Sequence, residues 1–266
     1  MVNVCDAQEW QAEVVVGVSG YNGDLTEREI SFKRIRPAAS LKLIYNTGDF
    51  INFRLGVGYA KIVGDDKNNK SSDLKNRNLS FQTNILEVNL CAEFNLFDPT
   101  IYNNFPYIFT GIGLFHFNPY AFDNDNKKVF LHALSTEGQG LKEYPDKKNY
   151  SLTQFCMPLG FGWKIKKKRW EIGYEFGYRI LFTDYIDDVS KTYVSLETLL
   201  AARGPKAIEM SFRGLGGWSP EDGGVRGNSK KRDTYFFSGL RFATSLSKNK
   251  NKKKNKKEDV NVKEAK

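Results

Sequence analysis

Eight stretches of this sequence alternate apolar and polar residues with a period of two, and the links between them are sorted by length. The stretches lie at about 10–19, 38–45, 50–62, 81–97, 107–117, 152–165, 170–182 and 235–246. Period two marks a strand with one apolar face. The links after the second, fourth and sixth stretches are short, at 46–49, 98–106 and 166–169. Those after the first, third, fifth and seventh are long and polar, at 20–37, 63–80, 118–151 and 183–233. A soluble sandwich has no reason to sort loops by parity. A barrel that crosses an outer membrane does, with an even strand count, short periplasmic turns and longer extracellular loops. The stretches, 8 to 17 residues long, also cover the roughly 9–11 needed to cross a bilayer at a tilt. The pattern predicts an all-β chain: an eight-stranded antiparallel up-and-down transmembrane barrel over residues 9–247, with both termini periplasmic.

The seventh stretch shows the apolar row most clearly: Trp170, Ile172, Tyr174, Phe176, Tyr178, Ile180 and Phe182. The fifth is apolar on both faces, and its register is open. The opposite face of the set carries Glu13, Lys42, Arg54, Glu87, Glu93, Lys164, Glu171, Glu175, Arg179 and Arg241, five acidic and five basic. An eight-stranded barrel is just wide enough for side chains to fill it. Opposite charges in equal number can pair inside it, whereas an unpaired one would be costly to bury. The expectation is a plugged interior rather than a pore. The competing reading, a soluble sandwich with these charges in water, conflicts with the continuous aliphatic and aromatic row opposite. Trp10, Trp163 and Trp170 fall at strand ends beside the short turns, where an interfacial aromatic girdle belongs.

Mean hydropathy is only −0.50, and no run of about 18 apolar residues suggests a helical span. Three cysteines, Cys5, Cys91 and Cys156, make no disulfide framework. They have no metal-ligand spacing with His116 or His132. Phosphate-loop, zinc-protease and nucleophile-elbow motifs are absent from the sequence. His116, near the end of the fifth stretch, and His132, in a long loop, have no evident serine partner for a lipid-modifying reaction. The carboxylates Asp184, Asp187 and Asp188 lack the spacing of a calcium loop; a loop capped by its own Asp side chains is the simpler reading. No catalytic residue, cofactor or metal is expected.

The net charge of +9 is uneven. Residues 248–266 hold nine lysines against three carboxylates, leaving a nearly balanced body. Such a Lys/Asn-rich tail reads as disordered. It has no aromatic residues of the kind that nucleic-acid binding would use, and the expectation is a tail that leans on anionic lipid or an acidic surface. Residues 1–8 read as a signal-peptide remnant or N-terminal arm.

Several longer stretches carry a resemblance. They are Arg77-Asn78-Leu79-Ser80-Phe81, Ser135-Thr136-Glu137-Gly138-Gln139-Gly140, Tyr150-Ser151-Leu152-Thr153-Gln154-Phe155, and Glu171 through Arg179. Phe182-Thr183-Asp184-Tyr185-Ile186-Asp187-Asp188-Val189-Ser190 is the most specific; Arg226-Gly227-Asn228 and Asp233-Thr234-Tyr235-Phe236-Phe237 follow. Together they resemble the PorG-like outer-membrane β-barrel family, a component of type IX protein secretion that in some bacteria supports gliding. The resemblance runs from about Gln8 to Leu246. It implies a non-enzymatic scaffold that ties a periplasmic ring, built partly of lipoprotein, to outer-membrane lipid. Two alternatives remain open: a surface adhesion or envelope-stress barrel that binds external ligands through its long loops, and a lipid-modifying enzyme.

Overall fold

The computed structural model describes residues 9–26, 34–47, 50–215 and 220–246. The expected N-terminal arm, the lysine-rich tail and Trp218 lie outside them. Ten strands run in chain order: β1 (Glu9–Asn22), β2 (Arg36–Asn46), β3 (Ile51–Asp65), β4 (Ser80–Asn95), β5 (Asn104–His116), β6 (Tyr120–Phe122), β7 (Lys128–Phe130), β8 (Thr153–Lys167), β9 (Trp170–Leu181) and β10 (Thr234–Ser245). Three short helices, α1 (Ser72–Arg77), α2 (Leu196–Arg203) and α3 (Pro205–Ser211), lie between them.

Eight of these strands form the barrel. Each pairs antiparallel with the next, in the order β3, β2, β1, β10, β9, β8, β5, β4, and β4 returns to β3. The pairing of β1 with β10, from Gln11 opposite Ser245 to Asn22 opposite Thr234, joins the first strand to the last. No edge is left open, so every strand finds ladder partners on both sides. In hydrocarbon, where water cannot satisfy a backbone amide, only a helix or a closed barrel achieves this.

The pleat then sorts the side chains. Along β4, Glu87, Asn89, Cys91, Glu93 and Asn95 are buried inside while Leu86, Val88, Leu90 and Phe94 are exposed outside. Every barrel strand contributes to the outer band: Val16, Leu41, Leu55, Leu90, Ile112, Phe161, Ile172 and Leu240. Leu41, Ile112 and Phe155 are 62%, 67% and 64% exposed. A continuous apolar belt of this extent has no place in water; it fits lipid.

The fifth strand, whose register sequence patterning leaves open, starts at Asn104. Phe105, Tyr107, Phe109 and Phe115 turn inward, and Ile108, Ile112 and Leu114 turn outward. Gly111 and Gly113 face the interior between two cysteines. A Cβ on Gly113 would stand 2.8 Å from the Cys156 sulfur, and one on Gly111 would stand 2.1 Å from the Leu90 carbonyl oxygen. The β5–β8 ladder skips between Thr110 opposite Leu159 and Gly113 opposite Cys156. Pro158 sits in that gap and has no amide hydrogen to donate. Cys91 and Cys156 are both free and buried.

The long links depart from the expectation of polar loops. They fold into a cap over one end of the barrel. Leu25, Leu79, Phe117, Leu131, Tyr150, Ile186, Val189 and Met210 continue the apolar cluster that begins inside with Ile62, Phe81, Phe115 and Leu181. A second cluster, Leu141, Val194, Leu199 and Ala207, seats α2 and α3. Ser195 caps α2 by accepting from the Thr198 amide, and Pro205 opens α3. These apolar residues are scattered singly along polar segments, so no window average reveals them. The hairpin β6–β7 is tied to the wall through Gln82 opposite Tyr120.

The belt yields a prediction. Ile112→Arg, on the outer face of β5, should lower barrel stability by about 2–4 kcal/mol in phospholipid vesicles. Asn103→Arg, in the β4–β5 turn, should cost about 0–1 kcal/mol. Denaturant unfolding followed by tryptophan fluorescence measures both.

Candidate functional site

Three groupings of polar and aromatic side chains stand apart from the apolar framework: inside the barrel, within the cap, and on the short-turn rim.

Inside, the ten charged residues singled out from sequence are 0–7% exposed, so at their level the barrel is filled by protein. They form two layers. The lower gathers Glu13 (β1), Lys42 (β2), Arg54 (β3), Glu93 (β4), Lys164 (β8), Glu171 and Glu175 (β9) and Arg241 (β10), four of each sign. Lys42 Nζ lies 3.0 Å from Glu13 and 2.6 Å from Glu175. Arg54 reaches Glu13 at 3.2 Å and Glu93 at 3.3 Å and pairs with Glu175. Arg241 pairs with Glu13 and lies 3.5 Å from Glu171, and Lys164 pairs with Glu93. The upper layer is Glu87 with Arg179, bonded through two nitrogens at 3.2 and 3.3 Å. Each layer is neutral by itself.

Uncharged side chains complete these layers, among them Asn52 and Asn89, which the alternation places on the same face as the charges. The Tyr107 hydroxyl donates to Glu175 at 2.9 Å, Asn52 to Glu93 at 2.9 Å and Gln11 to Glu171 at 3.2 Å. Asn89 and Tyr235 donate to Glu87. The Phe109 ring lies 4.7 Å from the Arg54 guanidinium, and Tyr107 lies 5.0 Å from that of Arg241. For Gln11, Asn52, Asn89 and Tyr235 the sequence signal was parity with the charged residues of their own strands; Tyr107 and Phe109, on a strand without Asp, Glu, Lys or Arg, had none.

The cap holds a second buried polar cluster. Arg77, at the end of α1, binds both oxygens of Asp66 at 2.8 Å and donates to the Arg226 carbonyl. Arg226 donates to Glu137 at 3.1 Å and to the Asp188 carbonyl. Glu137 also accepts the Ser190 and Lys191 amides and the Tyr185 hydroxyl. Asp188 accepts from Tyr150 and Thr136; Asp187 accepts from Tyr21 and from the Val189 amide. Thr183 accepts the Tyr185 amide at 3.3 Å, and Asp184 is half-buried. The simple self-capped loop expected for Thr183 to Asp188 is therefore only part of the arrangement. Asp187 and Thr183 do cap locally, but Asp188 and Tyr185 bind distant segments. The stretches that carry the family resemblance, around Arg77, Glu137, Tyr150, Asp187, Arg226 and Asp233, converge here.

Burial pushes the Asp184 carboxyl up to about 7 and that of Asp188 up to about 6. Asp187 is raised well above its ordinary value by burial and by Asp24. Among the described residues, no group of His, Cys, Asp and Glu has the arrangement of a metal site. His116 Nδ1 lies 3.0 Å from the Thr153 hydroxyl and His132 Nε2 lies 2.9 Å from the Tyr150 carbonyl oxygen; neither contact is a nucleophile–base pair backed by a carboxylate.

On the short-turn rim, Trp10, Trp163 and Trp170 are exposed on the outer face. Trp10 packs on Tyr45 with ring centroids 4.9 Å apart, and Trp163 donates to Asn104. Phe50, Phe94, Phe97 and Tyr102 extend this aromatic collar around the rim.

Two outcomes follow. Arg179→Met leaves Glu87 charged and buried and should cost about 3–5 kcal/mol, whereas the double variant Glu87→Leu/Arg179→Met should cost clearly less; a double-mutant cycle by denaturant unfolding reads the difference. In the cap, the raised carboxyls bind protons that the unfolded chain releases. Stability should therefore fall as pH rises from about 4 to 7. Hydrogen exchange across residues 182–190 should be better protected at pH 5 than at pH 8 after correction for intrinsic rates, and Asp184→Asn should flatten the trend.

No curated protein matches the chain. Solved structures similar to it include Neisserial surface protein A, at 7% identity and a TM-score of 0.45, covering 89% of this chain and 97% of that one. A major outer membrane protein from Thermus thermophilus is 13% identical at a TM-score of 0.44, covering 90% and 100%. Ail, the attachment invasion locus protein of Yersinia pestis, is 8% identical at 0.39, covering 90% and 98%. The family model described as a domain of unknown function, DUF6089, matches residues 1–201, and the chain belongs to that family.

Proposed function

We propose that this chain is a non-enzymatic outer-membrane barrel that anchors a periplasmic assembly, the role that its PorG-like resemblance implies within type IX secretion and gliding machinery. The observation that carries the reading is the filled interior. Two neutral layers of buried charge occupy the lumen, so a solute has no evident aqueous path through this level. What remains for function is the outer surface and the two ends. In this reading the short turns and the ends of β1 and β10 face the periplasm, with ring or lipoprotein subunits as partners, and the cap faces outward. The test is a cross-linked pull-down from envelopes with the full chain as bait. Recovery of periplasmic lipoprotein subunits, lost when the β4–β5 turn is replaced by a short Gly-Asn turn, supports the anchor. Recovery of none would remove it while leaving the barrel intact.

A second reading has its own observation. The cap holds an open cavity of about 430 Å³ lined by Asp24, Asp73, Arg77, Arg226 and Asn228 together with the apolar Leu74 and Val225 and by Tyr193 and Gly227. Such a recess, mostly apolar with a few charged groups, suits an external ligand that has both characters, and a surface-binding role. Asp73→Ala, outside the buried polar cluster, should weaken whole-cell ligand or surface attachment under this reading and leave secretion unchanged.

A further inference from the structure

Charge inside the barrel is balanced layer by layer, and around the cap cavity the arginines are matched as well. Arg77 binds both oxygens of Asp66, and Arg226 pairs with Glu137 at 3.1 Å. Asp24 and Asp73, on the same walls, form no ion pair among the described residues. The recess therefore has no surplus positive charge, and an anionic ligand would meet nothing that neutralises it.

Its hydrogen-bonding groups are only partly used. Arg226 is 2% exposed, yet it lines the cavity. Its Nε donates to the Ser211 carbonyl at 3.4 Å, and its Nη1 donates to Glu137 and to the Asp188 carbonyl. Its Nη2 has no partner among the described residues and is not sealed from the cavity. A desolvated donor without a partner costs free energy. Asp24 supplies the opposite function. Its Oδ2 accepts the Asn228 amide at 3.0 Å, and its Oδ1 has no partner among the described residues. Gly227 permits this approach, since a Cβ there would stand 2.5 Å from the Asp24 Oδ2. Asn228 accepts the Lys230 amide through Oδ1 and keeps its carboxamide NH₂ for another acceptor. Asp73 adds an exposed carboxylate, and Leu74 and Val225 add apolar surface, Val225 being 79% exposed.

This mixture selects a kind of ligand. A carboxylate only accepts and a guanidinium only donates, whereas a hydroxyl does both. Hydroxyl groups in the recess can serve Asp24 and Arg226 alike. An ammonium serves Asp24 and leaves Arg226 facing like charge; a phosphate or carboxylate does the reverse. The C–H face of a ring that carries hydroxyls at its edge fits Leu74 and Val225. The volume of about 430 Å³ lies within the roughly 300–1,000 Å³ of small-ligand sites.

We infer that the cap cavity is a binding site for an uncharged carbohydrate, a pyranose unit of an external glycan, held by Asp24, Arg226 and Asn228 and seated on Leu74 and Val225. Its walls come from the segment just after β1, from α1 and from the last long link, so the site exists only once the cap is assembled. The inference rests on the surface-binding reading of the cap and narrows it to a ligand class; it is independent of the periplasmic anchor.

The test uses the full chain in phosphatidylcholine nanodiscs, because alkyl-glycoside detergents would compete. Saturation-transfer NMR is recorded with maltose, lactose, mannobiose and diacetylchitobiose. At least one should bind, with transfer strongest at its ring C–H protons. Asp24→Asn should weaken that binding about tenfold. Val225→Glu, at an exposed position on the cavity wall, should weaken it too. Retained gel-migration shift on boiling and unchanged hydrogen exchange across residues 182–190 show that each variant keeps its cap. The uronic-acid counterpart of the sugar that binds should bind several-fold more weakly. Transfer to none of these sugars, transfer that both variants leave unchanged, or tighter binding of the acid would overturn the inference. If Asp73→Ala lost whole-cell attachment while no sugar bound, the surface role would stand and the carbohydrate would fall. Binding of the tripeptide Gly-Lys-Gly in place of any sugar would identify a basic peptide as the occupant.

Discussion

Backbone amides in hydrocarbon have no water to bond with, and the rest of this structure follows from that constraint. It requires β1 to meet β10, and it keeps the eight ladders running along the belt, with a skip between β5 and β8 where Pro158 has no amide hydrogen to donate. Closure at eight strands then sets the bore, which is just wide enough for side chains to fill it. A barrel wall with lipid outside must place its polar residues inside, so charge is forced into a confined space. Arg54 and Arg241 are tolerable there because Glu13, Glu93, Glu171 and Glu175 surround them and Tyr107 and Phe109 shield them. Neutrality within each layer follows from the same physics that closes the wall.

Much of the barrel was legible because its two faces differ so sharply. Trp170 to Phe182 could be assigned from alternation alone, and the parity of link lengths supplied the strand count and the end of the barrel that carries the short turns. β5 resisted because Phe105, Tyr107 and Phe109 alternate with Ile108 and Ile112, apolar on both rows. Aromatic rings line the interior there because they sit against guanidinium groups, a role that hydropathy does not register. Period two placed Glu13, Arg54 and Arg241 on one face. It contained nothing about which of them meet, since that depends on the stagger between strands.

The cap was not legible, and distance along the chain explains why. Arg77 donates to the carbonyl of a residue 149 positions away, and Arg226 reaches Glu137 across 89. Each participant sits in a polar segment with no periodicity. Read locally, Asp187 and Asp188 are turn residues; only the assembled cap shows that one binds Tyr21 from the first strand and the other binds Tyr150 from the third long link. What similarity to a family marked as special in this sequence is largely the set of residues that folds the cap.

The meeting of β1 and β10 has a mechanical side. Both strands begin or end at the short-turn rim, where Gln11 faces Ser245. A pull on the segments that flank them therefore enters the wall at one seam. Two neighbouring antiparallel strands drawn apart from the same end load their hydrogen bonds one after another, as a zipper opens. A pull on both together, along the strand axis, is carried by the whole β8–β9–β10–β1–β2 surface. The tie between Arg169 and Ser245 sits where such a zipper would start on the β10 side. This barrel should thus resist traction along its axis far better than splaying at the seam.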